Sequence, residues 1–336
     1  MLPNKTAILK KTEYKLIQQF SKRKLHVQHM MAWFPDQIIN FLDTFDKPCD
    51  TVLIFDELWR YSECNQIIID HPKFKNKDTF IITGGYENQQ LGPRLWKLSW
   101  PTYFLSNLNK PEDFEIKPRN LQHGFNCLNN RLAVHRVLLG YYLLKKNLLN
   151  QVLFTQLING PLNADIFKTL PDFDQYKNTL PIELIDSADP TSGRVADLDI
   201  YVYHKSYHST YCNIVTETET EDIPFSKRKD VEFLSEKSYK PFVAKQIPLI
   251  LSCRGHISYL KSLGFGMMED LLPGGYDQMW TEQKISAIVD VVARGRDYIE
   301  NFYFDHIREI EHNHELYFSG KIEQTMIQNI KSICDL

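Results

Sequence analysis

The chain has 336 residues, of which 43% are hydrophobic and 24% are charged. These fractions are typical of a globular protein and exclude wholesale disorder, and the length favours two domains over one. The 39 basic and 42 acidic side chains give a formal net charge of −3, so the overall charge provides no attraction to nucleic acid or to an anionic membrane.

Short apolar runs alternate with amphipathic segments along the chain, and this pattern predicts an α/β fold. In the first third, residues 51–55 and 79–83 are apolar or β-branched throughout, as buried parallel strands are, and residues 102–105 are a weaker strand candidate. Gly84 and Gly85 end the second run. Ligands of open α/β sheets bind at this carboxyl end of the strands.

A second α/β unit is predicted from about residue 120. It begins with a strand over 125–128, a turn and helix cap at Asn129 and Asn130, and a helix over 132–147. The later predicted elements are an irregular segment over 160–200, a strand over 211–215, a charged loop over 217–230, a helix over 235–244, a strand over 247–251, a helix over 257–263 and mostly helical chain from 281 onward.

Cysteine usage and the chain's first residues predict a cytoplasmic protein. The six cysteines form no CxxC pair, which is typical of reduced thiols and argues against a disulfide framework. The N-terminal residues carry charge where a signal peptide has its apolar stretch. No apolar run approaches the roughly 20 residues of a membrane helix, so we expect no membrane insertion.

A helix start with two lysines is the first candidate binding site. Ser235 fits the N-cap position, which places Glu236, Lys237 and Lys240 in the opening turns, where backbone amides and the helix dipole favour an anion. Lys237 and Lys240 share a helix face and predict a diphosphate site. Glu236 beside them accepts hydrogen bonds from a ribose diol or only screens the lysines. An ordinary solvated helix start accounts for the same spacing.

The turn after residue 128 is the second candidate. Arg131 lies at the predicted strand-to-helix turn, where a guanidinium can bind phosphate oxygens with two hydrogen bonds. Arg136 lies on the following helix and reaches the same place if the entry is tight. The alternative is that Asn129 and Asn130 form a turn and cap, and that His135 and Arg136 are surface residues.

In this order the motifs resemble the C-terminal domain of glycosyltransferase family ten, the fucosyltransferases, and its phage and marine-bacterial relatives. In that family a helix with a phosphate-binding Arg follows a Ser-Asn type turn. Later in the chain come a strand ending in Glu-Asn, a Tyr-x-x-Glu-Lys motif and an apolar strand that contains Val-Pro. The counterparts over about residues 120–265 are Asn129, Arg136 (Arg131 less favoured), Glu217, the segment 233–237 and the segment 247–249. Phe233 stands where the family has Tyr, and Thr218 where it has Asn.

The resemblance implies a GT-B fold, in which two Rossmann-like domains face each other across a cleft. The implied division is an acceptor-binding domain over 1–118, a nucleotide-sugar-binding domain over 119–312 and a C-terminal helix over 313–336 that returns to the first domain. By resemblance, Arg136 and Lys237 hold the diphosphate and Glu236 the ribose or sugar. The full set of expected donor-binding residues is Asn129, Arg131, Arg136, Glu217, Phe233, Glu236, Lys237 and Lys240.

The family's catalytic carboxylate lies in a Gly-Glu-Asn motif, and the nearest match here is Thr-Gly-Gly-Tyr-Glu-Asn over residues 83–88. Glu87 is therefore the first candidate for the general base, and we expect partial burial to raise its pKa. Asp56 and Glu57, directly after the first predicted strand, are rivals. An acidic pair in the first turn of a helix is the simpler explanation for them.

The expected activity is an inverting, metal-independent transfer of a hexosyl or pentosyl group from a GDP- or UDP-sugar to an acceptor hydroxyl, with no cofactor. The acceptor is either a glycan or a hydroxymethylated base of phage DNA. The expected compartment is the cytoplasm, which is that of the host if the chain is phage-encoded. The alternatives are a non-catalytic nucleotide- or glycan-binding protein of the same fold and another α/β enzyme. For the latter, the sequence contains no GxGxxG, GxxxxGK[ST] or GxSxG motif.

Overall fold

Two compact units make up the computed structural model. It describes residues 5–30, 35–56, 63–119, 123–130, 132–157, 170–182, 202, 205–218, 220 and 232–334. Unit 1 comprises Met1–Asn107, Glu232–Leu234 and Gly320–Leu336, and unit 2 comprises Leu108–Val231 and Ser235–Ser319. The units therefore divide at 107–108 and at 319–320, where the sequence analysis placed boundaries at 118–119 and 312–313.

The secondary structure consists of nine described strands, thirteen described α-helices and several short 3-10 turns. The strands are β1 (Leu25–Met30), β2 (Thr51–Asp56), β3 (Asp78–Thr83), β4 (Gln89–Gly92), β5 (Leu95–Ser99), β6 (Phe125–Asn129), β7 (Val152–Gln156), β8 (Cys212–Thr216) and β9 (Ile247–Leu251). The helices are α1 (Lys5–Ile17), α2 (Pro35–Thr44), α3 (Glu63–Asp70), α4 (Thr102–Leu105), α5 (Val134–Lys145), α6 (Phe173–Lys177), α7 (Lys205–Ser209), α8 (Lys240–Val243), α9 (His256–Ser262), α10 (Thr281–Ala293), α11 (Arg296–Asp305), α12 (Ile307–Phe318) and α13 (Lys321–Cys334).

Unit 1 is built on a five-stranded sheet with the order β1-β2-β3-β5-β4, in which only β4 is antiparallel to its neighbour. Both faces of the sheet are covered, which is why β2 is apolar along almost its whole length. Side chains of α2 and α3 share one core cluster with Val52 and Ile54. On the opposite face Phe20, in the 3-10 turn after α1, packs against Phe80 at 4.9 Å between ring centroids. Helix α13 contacts β5.

Among its strands, unit 1 differs from expectation at residues 102–105 and at β1, β4 and β5, which were not predicted. Residues 102–105 form the helix α4 and not a strand, since Pro101 precedes them and its fixed φ suits a helix start. Strand β5 pairs in parallel with β3 on the side away from β2. Strand β1 escaped the sequence analysis because it lies at the edge of the sheet and alternates apolar positions with His26 and Gln28.

Unit 2 contains a four-stranded, fully parallel sheet with the order β7-β6-β8-β9. Strand β6 is central. The chain adds β7 on one side of it and later returns to add β8 on the other. The strand order therefore reverses between β6 and β8, and the carboxyl ends of these two strands form the topological switch point, where doubly wound sheets bind their ligands.

The predicted strands and helices of unit 2 are confirmed in β6, α5, β8, β9 and α9. The predicted cap is wrong: Asn129 is the last residue of β6, and Ala133 is the N-cap residue of α5. Most of the segments 160–200 and 217–230 lies outside the described residues. The two layered sheets confirm an α/β protein. Within the described ranges, each helix is too short or too polar to cross a bilayer.

Candidate functional site

A buried carboxylate, that of Glu217, organises the end of β8. The side chain is fully buried, and its Oε2 accepts hydrogen bonds from the Thr218 amide at 2.9 Å and from Ser235 Oγ at 2.6 Å. Its Oε1 accepts from the Ser235 amide at 3.3 Å and from Ser238 Oγ at 2.5 Å. These contacts replace the water that an ionised carboxylate loses on burial. Glu217 therefore positions Ser235 and Ser238, and both of its oxygens are engaged by the protein.

The same network continues to His256, the first residue of α9. The Nε2 of His256 lies 2.8 Å from Ser238 Oγ, and both side chains are fully buried. Because the Ser238 hydroxyl donates to Glu217, it accepts from His256, which assigns the proton to Nε2. The sequence analysis missed Ser238 and His256. The three-residue spacing of Ser235 and Ser238 was the available signal, since it places both hydroxyls on one side of a helical turn.

The first turn of α5 is bound to the end of β8. Arg136 is 4% exposed, and its guanidinium donates to the carbonyl oxygens of Thr216 at 3.1 Å and Glu217 at 3.0 Å. His135 Nε2 donates to the same Glu217 carbonyl at 2.8 Å. Burial, together with the nearby charges of Arg136 and Lys237, lowers the pKa of His135 to about 3. His135 is therefore neutral and adds no charge to this region.

Lys237 reaches the same stretch of chain from the 3-10 turn 236–239. Its Nζ lies 3.3 Å from Thr218 Oγ1 and 2.5 Å from Glu236 Oε1, and its side chain is 20% exposed. Arg136 and Lys237 are far apart in the sequence, yet both contact residues 216–218, immediately beside the switch point. Two of the predicted phosphate-binding side chains thus lie together.

Lys240 completes a group of basic side chains that we call the cationic cluster: Arg136, Lys237 and Lys240. Lys240 is 1% exposed and, with Lys237, lines a small hollow along β8. Burial by itself raises the pKa of Glu236, but the charges of Lys237 and Lys240 and the hydrogen bond from Lys237 outweigh it and hold that pKa at about 2. Glu236 is therefore ionised and neutralises part of the cluster.

The remaining predicted donor residues have other surroundings. Asn129 is buried, and its Oδ1 accepts a hydrogen bond from Thr216 Oγ1, which ties β6 to β8. Arg131 lies outside the described residues. Phe233 belongs to unit 1, where its carbonyl oxygen accepts a hydrogen bond from the Tyr86 hydroxyl at 3.2 Å.

The first candidate base, Glu87, is exposed, so the expected partial burial of its carboxylate is wrong. It lies between β3 and β4 on a loop that is fixed on both sides. Tyr86 is buried and bound to Phe233, and the Asn88 side-chain oxygen accepts from the Ser99 amide at 2.7 Å. Hydrogen bonds of its two neighbours thus anchor the loop, and Glu87 between them is exposed.

Asp56, the rival candidate, is the last residue of β2 and is 6% exposed. It lines a cavity of about 260 Å³ that lies within unit 1 at the carboxyl ends of β1, β2 and β3. Glu57 lies outside the described residues. Of the candidate bases with a described side chain, Asp56 is thus the buried one.

Comparisons with known families, with curated proteins and with solved structures find no match to this chain. In the described ranges, no three His, Cys, Asp or Glu side chains come close enough together to hold a metal ion.

Proposed function

We propose that the chain is a glycosyltransferase that binds a nucleotide-diphosphate sugar at the cationic cluster of unit 2. The observation that carries the proposal is the approach of Arg136 and Lys237, from two separate segments, to residues 216–218 at the switch point of a parallel sheet. Ligands of such sheets bind at this position, and basic side chains form their strongest hydrogen bonds with phosphate and carboxylate oxygens.

Lys237 is the side chain in the cluster best placed to bind phosphate. It is partly exposed, whereas Arg136 and Lys240 are almost completely buried. Its present anionic partner is Glu236. A diphosphate would take the place of this carboxylate at Nζ and would leave Glu236 able to accept hydrogen bonds from ribose or sugar hydroxyls. The buried charges of Arg136 and Lys240 then add positive electrostatic potential at the diphosphate.

In the proposed reaction, a base removes the proton of the acceptor hydroxyl, whose oxygen attacks the anomeric carbon of the donor sugar from the side opposite the diphosphate. The bond to the nucleoside diphosphate breaks, and the cationic cluster stabilises the negative charge that develops on this leaving group. The GT-B arrangement and the use of a GDP- or UDP-sugar without a further cofactor belong to this proposal.

Asp56 is the better candidate for the base. Its side chain is 6% exposed at the carboxyl end of an inner strand of the sheet, while Glu87 is exposed. We expect Asp56→Asn to abolish sugar transfer and Glu87→Gln to leave most of it; the reverse result would return the role to Glu87.

The direct test is calorimetric titration of UDP and of GDP into the wild-type protein, Lys237→Ala and Lys261→Ala. Lys261 is a matched control, because it is an exposed lysine on α9 that is also paired with one carboxylate, Glu269, at 2.7 Å. Loss of a charge-assisted hydrogen bond predicts binding about 10- to 100-fold weaker in Lys237→Ala and unchanged in Lys261→Ala. The proposal fails if neither nucleotide binds, or if Lys237→Ala binds as tightly as the wild type.

The exposure of Glu87 favours one second candidate, a non-catalytic nucleotide- or glycan-binding protein of the same fold. Release of nucleoside diphosphate from a donor sugar, abolished in Asp56→Asn or in Glu87→Gln, would eliminate it. Gel retardation of hydroxymethylated duplex DNA at low salt separates a DNA acceptor from a glycan acceptor.

A further inference from the structure

A basic surface lies at the edge of the unit 1 sheet where the parallel strands begin, and Asp56 lies at the opposite edge, where β2 ends. We propose that this surface docks on a membrane that contains anionic lipids, with lysine side chains bound to the lipid phosphates. All residues of the surface belong to unit 1, so the inference does not depend on the nucleotide site proposed for unit 2.

Four short segments meet at this edge because β1, β2, β3 and β5 are parallel to one another and start side by side. The Asp50 amide donates to the Lys24 carbonyl oxygen at 3.0 Å, and the Asp78 amide donates to the Asp50 carbonyl oxygen at 2.9 Å. The Thr79 amide donates to the Arg94 carbonyl oxygen at 2.8 Å. We call the segments 22–24, 43–50, 70–78 and 93–94 the basic edge. They hold eight Lys or Arg and five Asp residues, a formal charge of +3 in a chain whose total is −3.

Most of the lysines of the basic edge are not neutralised by the protein. The nearby carboxylates are taken by other side chains, since Asp78 pairs with Arg23 at 2.6 Å and Arg94 at 3.7 Å, and Asp46 pairs with Lys47 at 3.3 Å. Five lysines have no carboxylate within ion-pair distance among the described residues: Lys22, Lys24, Lys73, Lys75 and Lys77. All but the last are exposed. The basic edge therefore presents uncompensated positive charge to an external anion.

Apolar surface lies directly beside these charges. Lys75 and Arg94 lie on the wall of a hollow of about 310 Å³, whose apolar surface comes from Ile68, Ile69, Phe74, Pro93 and Leu95. Ile67, which precedes Ile68 in the last turn of α3, is 36% exposed. A membrane interface offers the matching arrangement, because its phosphate groups lie next to the apolar part of the lipid.

The same features favour a membrane over a nucleic acid. A DNA duplex would bind these lysines through its phosphates alone and would leave the apolar surface without a partner. Single-stranded nucleic acid binds by stacking its bases on exposed rings. Phe45 and Phe74, the two phenylalanines of the basic edge, are only 6% and 2% exposed, so neither offers such a ring.

The charge sets the size of the expected effect. Each lysine close to an anionic membrane raises the affinity by about fivefold, so removal of three lysines predicts binding about 100-fold weaker. High salt weakens the binding as well, because it screens exposed charges.

The test is cosedimentation of the full chain with vesicles, either of phosphatidylcholine alone or of a two-to-one mixture of phosphatidylcholine and phosphatidylglycerol. The basic-edge variant combines Lys22→Gln, Lys24→Gln and Lys75→Gln. The matched control combines Lys117→Gln, Lys146→Gln and Lys261→Gln, three exposed lysines of unit 2, and changes the net charge by the same amount. We expect the wild type to bind the mixed vesicles at low salt, with affinity about 100-fold weaker in the basic-edge variant and unchanged in the control.

The inference is overturned if the mixed vesicles do not bind the wild type, if phosphatidylcholine alone binds it equally well, or if the two triple variants bind alike. It is also overturned if duplex DNA binds more tightly than the mixed vesicles at the same phosphate concentration, or if inorganic phosphate at that concentration releases the protein from them. Titration of UDP and GDP into the basic-edge variant measures the unit 2 site separately, so the failure of one proposal is distinguishable from the failure of the other.

Discussion

The ion pair between Glu236 and Lys237 predicts a large and pH-dependent contribution to stability. Its atoms lie 2.5 Å apart, the Glu236 side chain is 11% exposed, and Lys240 beside it is 1% exposed. The pKa of Glu236 is held at about 2, against an ordinary value of 4.5. At about 1.4 kcal/mol for each tenfold change in proton affinity, ionised Glu236 contributes about 3 kcal/mol to the free energy of unfolding at neutral pH.

The direction in which stability changes with pH follows from the lowered pKa of Glu236. A carboxyl group whose pKa is lowered in the folded state stabilises that state above its unfolded pKa, and this contribution is lost as the pH falls toward the folded pKa. We therefore expect Glu236→Gln to lower the free energy of unfolding by about 3 kcal/mol at pH 7. The difference from wild type should shrink steadily as the pH falls from 4.5 toward 2.

Urea denaturation followed by circular dichroism at several pH values between 7 and 3 measures this difference. Glu269→Gln is the control, because Glu269 forms an ion pair of 2.7 Å with Lys261 in which the two side chains are 65% and 46% exposed. Surface pairs of this kind contribute about 0–1 kcal/mol. A Glu236→Gln variant as stable as the wild type at pH 7, or one whose deficit is the same at every pH, would refute the reasoning.

Two other changes test the packing and electrostatics. Burial raises the pKa of Glu13 despite the opposing charges of His29 and Lys10, so its ionised form costs stability at neutral pH. Glu13→Gln should therefore unfold at a higher urea concentration than the wild type at pH 7, and at the same concentration below pH 4. A lower midpoint than wild type at pH 7 would contradict this. In Gly140→Ala the new Cβ would overlap Tyr176 and approach Phe154 Cζ to 2.9 Å, which predicts a loss of about 1–3 kcal/mol by thermal unfolding. Gly274→Ala has no atom within 4 Å of the new Cβ and is its control; equal melting temperatures for the two variants would show that α5 can shift to make room.

Local sequence pattern predicted the strands whose side chains are buried on both faces and missed strands with partly exposed positions. Strands β2, β3 and β9 are covered on both faces, so their apolar residues form continuous runs that are visible in the sequence. Strand β1 contains His26, Gln28 and His29 and its side chains are only partly buried, so it gave no comparable signal. The segment 102–105 is apolar and short enough to form either a strand or a helix, and the preceding proline favours the helix.

The motif resemblance grouped Glu217, Glu236 and Lys237 as donor-binding residues. It did not indicate that Glu217 would be fully buried and bound by Ser235 and Ser238. Burial of a carboxylate depends on which donors the tertiary fold brings to it. The spacing of residues along one helical turn does not reveal these donors.

In unit 2, strands β6, β8 and β9 and helices α5 and α9 were predicted from local pattern, because hydrophobic period and chain breaks are local properties, whereas β7 was not predicted. The pairing of β8 beside β6, which brings Arg136 and Lys237 to residues 216–218, is visible only in the folded chain. The same is true of residues 232–234, which join unit 1 while Ser235 begins a segment of unit 2. Strand order and domain membership depend on contacts between residues distant in the chain, and these contacts form because they bury the most apolar surface while satisfying the polar groups buried with it.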